Sequence, residues 1–427
     1  MSLRPFRFIH ATNLRLDQPL WGIGSVNSEA RRIAEDATLT AFQHIVHACI
    51  EHRVAFLLLT GNSFDAAHAY RARMTLEDAC ERLAEHDIEV LIVPGEIDPS
   101  HSWTKGLHLP SNVTTFVSRH SEPVAIVRDG EVLATVEPFE RRHAQAQRGS
   151  HSSALRVGLI GAGQHEALQE KLAAVTESKD DKQLLEDFPI AGTFGYLALG
   201  NGSDRLTVDL PRGIAHDPGC PQPLDGRHTT NMGCSLIDVD RAGQLMIKML
   251  PTAVVRREEI ELKLKDDSSW DQLAESMQAA LLDRDPLPTE KLWLIRWIIE
   301  GEGSLADSLR ESSAQRELCE LIEQELADDR NVIRLHEMDI RANWSYAAGL
   351  EMTGTVFEEF TSIIDQRLPT HIDQFRKRLP AIDWPEAGWV RRVIDTGERM
   401  SSRDIAIHTQ HLARQWLLPH GTTGVDD

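Results

Sequence analysis

Signals for several familiar classes of protein are missing from this chain. No apolar stretch approaches the ~20 residues needed to cross a bilayer. The first residues place Arg4 and Arg7 inside a strand-like pattern and hold no apolar leader core, so a cytoplasmic protein that does not engage membranes is expected. Five cysteines, Cys49, Cys80, Cys220, Cys234 and Cys319, never form a C-x-x-C pair. That spacing argues against both a zinc knuckle and a disulfide framework. Basic residues are scarce, with 45 Lys and Arg against 66 Asp and Glu and a net charge of -21 over 427 residues. Nucleic acid is held largely by cations on phosphates, so direct DNA binding is disfavoured, although net charge leaves a local basic groove open. Internal repeats and low-complexity domains are absent as well.

What is present begins as an alternation of strands and helices. Phe6 and Phe8 alternate with Arg7, and apolar residues recur at helical spacing from about Glu29 to His52. Val54–Thr60 is a continuous apolar run ended by Gly61. Tyr70–His86 reads as a second helix and Ile88–Val93 as another buried strand. This β-α-β-α-β order predicts a parallel sheet with its working loops at the strand C-terminal ends. Shorter strands follow at Val124–Val127, Val132–Val136, Leu155–Ile160 and Tyr196–Leu199, with loops at Arg141–Ser153 and Thr176–Lys182. Beyond Glu259 the spacing predicts a helix at Trp270–Leu282, a strand at Leu292–Ile299, a helix at Ser304–Ser312 and a strand at Val332–Arg341. The acidic run Glu317–Asp329 reads as a solvated helix face, and Thr353 to Leu418 as helical.

Four segments carry the chemistry: His10-Ala-Thr-Asn-Leu-Arg-Leu-Asp17, Leu59-Thr-Gly-Asn-Ser-Phe-Asp65, Val93-Pro-Gly-Glu-Ile-Asp98 and Leu197-Ala-Leu-Gly-Asn-Gly-Ser203. Each follows an apolar strand. In order and spacing they resemble the D-x-H, G-D-x-x-D, G-N-H-D/E and G-H-x-H segments of the SbcD/YhaO-like DNA-repair exonucleases, members of the calcineurin-like metallophosphoesterase superfamily. Asp217-Pro-Gly-Cys-Pro-Gln222 resembles that family's P-G-x-P-Q loop, which extends the likeness to about residue 250. The resemblance implies a four-layer α/β sandwich over 1–254, a small α+β capping domain over 255–347 and a helical segment over 348–418 that docks a partner. The last residues, 419–427, are expected to be a disordered tail. It also implies a homodimer and an SMC-like or AAA-type ATPase partner.

Two-metal phosphoesterases clamp the attacking and leaving oxygens between cations held by carboxylates and neutral imidazoles. The ligand letters are altered here. Asn62 stands at the bridging-carboxylate position and Asn13 at the first-metal aspartate. Arg15 places a permanent cation where a histidine is expected. Glu96 and Ile97 replace Asn-His, which removes the expected general acid. Gly161 stands for a histidine, as do Asn201 and Ser203. The expectation is a catalytically degenerate subunit with no metal cofactor. The alternative is an active Mn²⁺- or Mg²⁺-dependent phosphoesterase or nuclease rebuilt around Asp65, Glu96, Asp98 and His165. A further reading makes Arg15, Arg71 and Arg73, with Lys105, an anion site. Against it stands the simpler pairing of Arg15 with Asp98 or Asp65.

Overall fold

The computed structural model describes residues 3–139 apart from 22, 24, 25, 67–69, 105 and 119. It also describes 154–160, then 194–341 apart from 203, 211, 212, 226–231, 266, 302 and 327–331, and finally 362–364, 366, 367, 370, 371 and 374. The chain forms two compact units, Met1–Asn343 and Trp344–Asp427. The described residues of the second unit are helical. The loops expected at 141–153 and 176–182 lie outside the described residues.

In the first unit, strand β1 (Phe6–Ala11) is followed by helices α1 (Ser28–Glu35) and α2 (Ala37–Glu51). Then come β2 (Phe56–Thr60), α3 (Tyr70–Ala84), β3 (Glu89–Val93), the short helix α4 (Ser100–Thr104) and β4 (Val113–Thr115). The next strands are β5 (Val124–Arg128), β6 (Glu131–Pro138), β7 (Leu155–Leu159), β8 (Tyr196–Ala198), β9 (Leu206–Leu210), β10 (Gly213–Asp217), β11 (Gly233–Val239) and β12 (Leu245–Pro251). They make two six-stranded sheets, ordered β12-β11-β1-β2-β3-β4 and β5-β6-β7-β8-β10-β9. In the first sheet β1 to β4 run parallel. In the second, β6, β7, β8 and β10 do so. The expected α/β sandwich is what forms.

The alternation of side chains along a strand decides which face each residue serves. Phe8, Phe56, Leu58, Leu91 and Ile237 pack between the sheets against Val136, Val157 and Tyr196. Their neighbours Ile9, Leu57, Leu59 and Ile92 turn the other way and pack under Phe42, Ile45 and Leu76 of α2 and α3. Each fully buried side chain of this kind contributes roughly 1.5–3 kcal/mol relative to exposure.

The helix expected from Glu29 to His52 breaks at Asp36 into two. The physical reason is that its halves serve different cores. Ala30, Ala34 and Ala37 pack with Val255 and Leu292, whereas Phe42, Ile45 and Cys49 pack on the first sheet. Val255 and Leu292 open a third sheet, all parallel, built from β13 (Val255–Lys263), β14 (Leu292–Glu300) and β15 (Ile333–Arg341). Helices α5 (Trp270–Leu282), α6 (Ser304–Ser308) and α7 (Ser312–Leu326) accompany it, with Met277, Leu309, Leu318 and Ile322 packed against Trp293 and Trp297. Ser269 and Gln272 close a reciprocal capping box at the start of α5. Gln222 joins the sandwich to this sheet: its oxygen accepts from the amides of Val254 and Val255 at 2.8 and 3.0 Å. Among the described residues no helix is long and apolar enough to cross a membrane.

A polar seam interrupts the apolar interior between the two large sheets. His10 and His216 are fully buried there, ring centroids 6.1 Å apart. The Thr60 hydroxyl donates to the Leu199 carbonyl at 2.8 Å, so His10 Nε2–H donates to Thr60 and its Nδ1 accepts from the Tyr196 hydroxyl, both at 2.8 Å. His216 bonds Thr207 Oγ1 through Nδ1 at 2.8 Å and Ser235 Oγ through Nε2 at 2.7 Å. Burial, helped by the cation of Arg205, pushes the His216 imidazole down to about 3. The unfolded chain therefore takes up a proton near pH 6.5 that the folded chain refuses. Stability from this group is complete above that pH and is lost as pH falls toward 3, at about 1.4 kcal/mol per pH unit. Urea unfolding of His216→Gln should show a flatter decline between about pH 6 and pH 4 than wild type; equal slopes would contradict this account.

Candidate functional site

β1, β2 and β3 run parallel, so the first three segments singled out above emerge at one end of their sheet, and hydrogen bonds from Thr60 to Leu199 and from Asn201 to Thr12 bring the segment after β8 to the same place. The loop after β1 lies along the loop after β2: the amides of Asn13, Arg15 and Leu16 donate to the carbonyls of Gly61, Asn62 and Ser63 at 3.0, 3.0 and 2.8 Å. Thr12 ties in the fourth segment. Its hydroxyl donates to the Thr60 carbonyl and accepts from the Asn201 amide at 2.8 Å. Asn13 Nδ2 reaches the Gly202 carbonyl at 3.3 Å, and Asp217 Oδ2 accepts from the Gly202 amide at 3.1 Å.

The positions read above as altered ligands have an unusual backbone. Asn13, Arg15, Asn62 and Asn201 all sit at positive φ, between 47° and 61°, and Asp17 does likewise at 61°. This left-handed region costs a side-chain-bearing residue of order 1–2 kcal/mol, and asparagine tolerates it best because its short amide bonds locally. Three of those positions are asparagine. Close approach demands the two glycines: a Cβ on Gly61 would lie 2.2 Å from Asn201 Oδ1, and one on Gly95 2.1 Å from the Asn62 amide nitrogen.

The loops after β2 and β3 are joined from both sides. Asp98, fully buried, accepts three backbone amides: Asn62 at 2.9 Å and Gly95 at 2.8 Å on Oδ1, and Ser63 at 3.0 Å on Oδ2. In return Asn62 Oδ1 accepts the amides of Glu96 at 3.1 Å and Ile97 at 3.3 Å. Burial pushes the Asp98 carboxyl up to about 6, against the downward pull of its three donors. Nearby, Trp103 Nε1 donates to the Asp98 carbonyl at 3.1 Å and its ring lies 4.9 Å from Phe64.

The remaining expected residues are scattered among different partners. Asp98 is not the counter-ion expected for Arg15, because its oxygens are turned to backbone. Arg15 Nε donates instead to Asn13 Oδ1 at 2.8 Å. Arg71 is held in ion pairs by Asp17, at 2.9 Å, and by Asp36, and Arg73 lies over the Phe64 ring at 5.7 Å. Glu96 is exposed and Asp65 half-buried. Gly161, His165, Ser203 and Lys105 lie outside the described residues. Among the described residues no group of three or more His, Cys, Asp or Glu side chains is placed to hold a metal ion. Sequence reasoning missed Thr12, Thr60, Tyr196, His216 and Asp217 as supports of these loops. The available signal was polar letters, such as His10 and Thr60, at the ends of otherwise apolar strands.

Asp98→Ala would strip three buried amides of their acceptor. The expected loss is about 3 kcal/mol or more, at the 1–3 kcal/mol typical of each unsatisfied group. Denaturant unfolding at neutral pH measures it, and a variant as stable as wild type would refute the role.

No family model matches the chain. Among curated proteins, an uncharacterized metallophosphoesterase, YhaO of Bacillus subtilis (strain 168), is 28% identical over 247 residues. The match spans 56% of this chain and 58% of that protein. A solved structure of GAP50, the anchor in the inner membrane complex of Plasmodium, covers 58% of this chain and 85% of its own at 10% identity. Its TM-score is 0.31. The YhaO match supports the metallophosphoesterase family, and the paired sheets with parallel strands at their centres are an α/β sandwich of that kind.

Proposed function

We propose that this chain is a metallophosphoesterase-fold subunit that does not hydrolyse phosphoesters and acts by assembly. One observation carries the reading. At the bridging position Asn62 offers a neutral amide whose oxygen is already engaged by the Glu96 and Ile97 amides. A dinuclear centre needs an anionic oxygen shared between its cations. Around it the donor set is equally unsuited. Asn13 Oδ1 faces the Arg15 guanidinium, and Asp98 faces backbone. The described residues do not fit a pair of divalent cations.

The role in assembly comes from resemblance. It points to a scaffold or regulatory subunit beside an SMC-like or AAA-type ATPase in DNA repair or processing. On this reading the protein is a homodimer, with 348–418 as the docking segment. The net charge of -21 favours a protein partner over general contact with DNA.

The purified protein, given millimolar Mn²⁺ with bis(p-nitrophenyl) phosphate or linear duplex DNA, should release product no faster than a protein-free control. EDTA should change nothing. Mn²⁺-dependent turnover that disappears in Glu96→Gln would establish the alternative, a rebuilt centre using Asp65, Glu96, Asp98 and His165.

A further inference from the structure

The reciprocal bonding of the β2 and β3 loops has the geometry of a clasp. The Asn62 side chain is 5% exposed and spans 34 and 35 residues of sequence to reach the Glu96 and Ile97 amides. Asp98 spans the same gap in the opposite direction, to the Asn62 and Ser63 amides. Both acceptor oxygens flank the space where a Gly95 Cβ would stand, Asp98 Oδ1 at 2.6 Å and Asn62 Oδ1 at 2.7 Å. One of the two is a carboxylate. A second carboxylate at Asn62 would set two negative charges side by side in a buried place, which without a cation raises the pKa of one and costs stability.

We propose that the Asn62 amide is a metal-independent clasp: it joins the β2 and β3 loops with no bound cation, and its neutrality is what lets Asp98 remain beside it. The proposal rests on the reading of this site as one without its metals. Asparagine suits the position twice over. It tolerates the left-handed backbone at φ 53°, and it supplies an acceptor oxygen without charge. A glycine would keep the backbone and lose the acceptor. An aspartate would keep the acceptor and add the charge. Those two variants therefore separate the elements of the clasp.

Amide hydrogen exchange and thermal melting of the full chain test it. In Asn62→Gly the Glu96 and Ile97 amides should exchange about tenfold faster, while the Ser63 amide, held by Asp98, stays protected. In Asn62→Asp both amides should stay protected, but the Tm should fall below wild type, by more at about pH 8 than at about pH 5, where one carboxyl is protonated. Wild type should melt at the same temperature in EDTA and in Mn²⁺. Unchanged exchange at Glu96 and Ile97 in Asn62→Gly would overturn the clasp. So would an Asn62→Asp protein that melts like wild type at both pH values. A rise in the wild-type Tm on adding Mn²⁺ would instead overturn the metal-free reading beneath it.

Discussion

A buried carboxylate surrounded by backbone amides is the constraint on which the upper end of this molecule depends. Asp98 cannot leave its place without exposing three amides that have no other acceptor at hand. Its position fixes Gly95 and Ser63, and through them the whole course of the loops after β2 and β3. The β1 loop then follows by backbone bonding from Asn13, Arg15 and Leu16. Strain is concentrated here because the surroundings over-determine the conformation. Arg15 at φ 47° would not persist in a loop held only at its ends.

Beneath these loops the two sheets meet through a mixed core. Aromatic contacts, such as Phe8 stacked on Phe56 at 4.6 Å, give way near the loops to the His10, Thr60, Tyr196 and His216 seam. Polar groups so deep are tolerated only because each is bonded. Their directional bonds set the sheets' mutual position more tightly than apolar packing alone would. On the other side, α1 and Gln222 couple the sandwich to the three-stranded sheet. In that module a second set of bonded polar groups recurs: Trp297 Nε1 donates to His336 Nδ1 at 3.0 Å, and Glu323 accepts from His336 Nε2 at 2.9 Å.

The fold was legible where local pattern and tertiary need agree. The apolar run before Gly61, the strand ending at Val93 and the helix Trp270–Leu282 follow from periodicity and end signals. The break at Asp36 was not, because residues 28–51 continue one periodicity while their burial partners change from one core to another. The strand Leu206–Leu210 escaped notice because its apolar-polar alternation runs for only five residues, and Leu245–Pro251 because it is only half-buried and its apolar letters do not alternate. At the site, the four loop segments could be read from the sequence in their order. What Asn62 does could not, since its partners lie 34 and 35 residues away and are main-chain groups that no side-chain motif records.

On the proposed reading, the loops after β2 and β3 are held by an amide and a backbone-bound carboxylate with no bound cation. Elemental analysis of the purified chain, joined to calorimetric titration with Mn²⁺, tests it most directly. The account predicts no stoichiometric metal and no binding heat. Stoichiometric metal, or saturable Mn²⁺ binding at micromolar affinity, would contradict it.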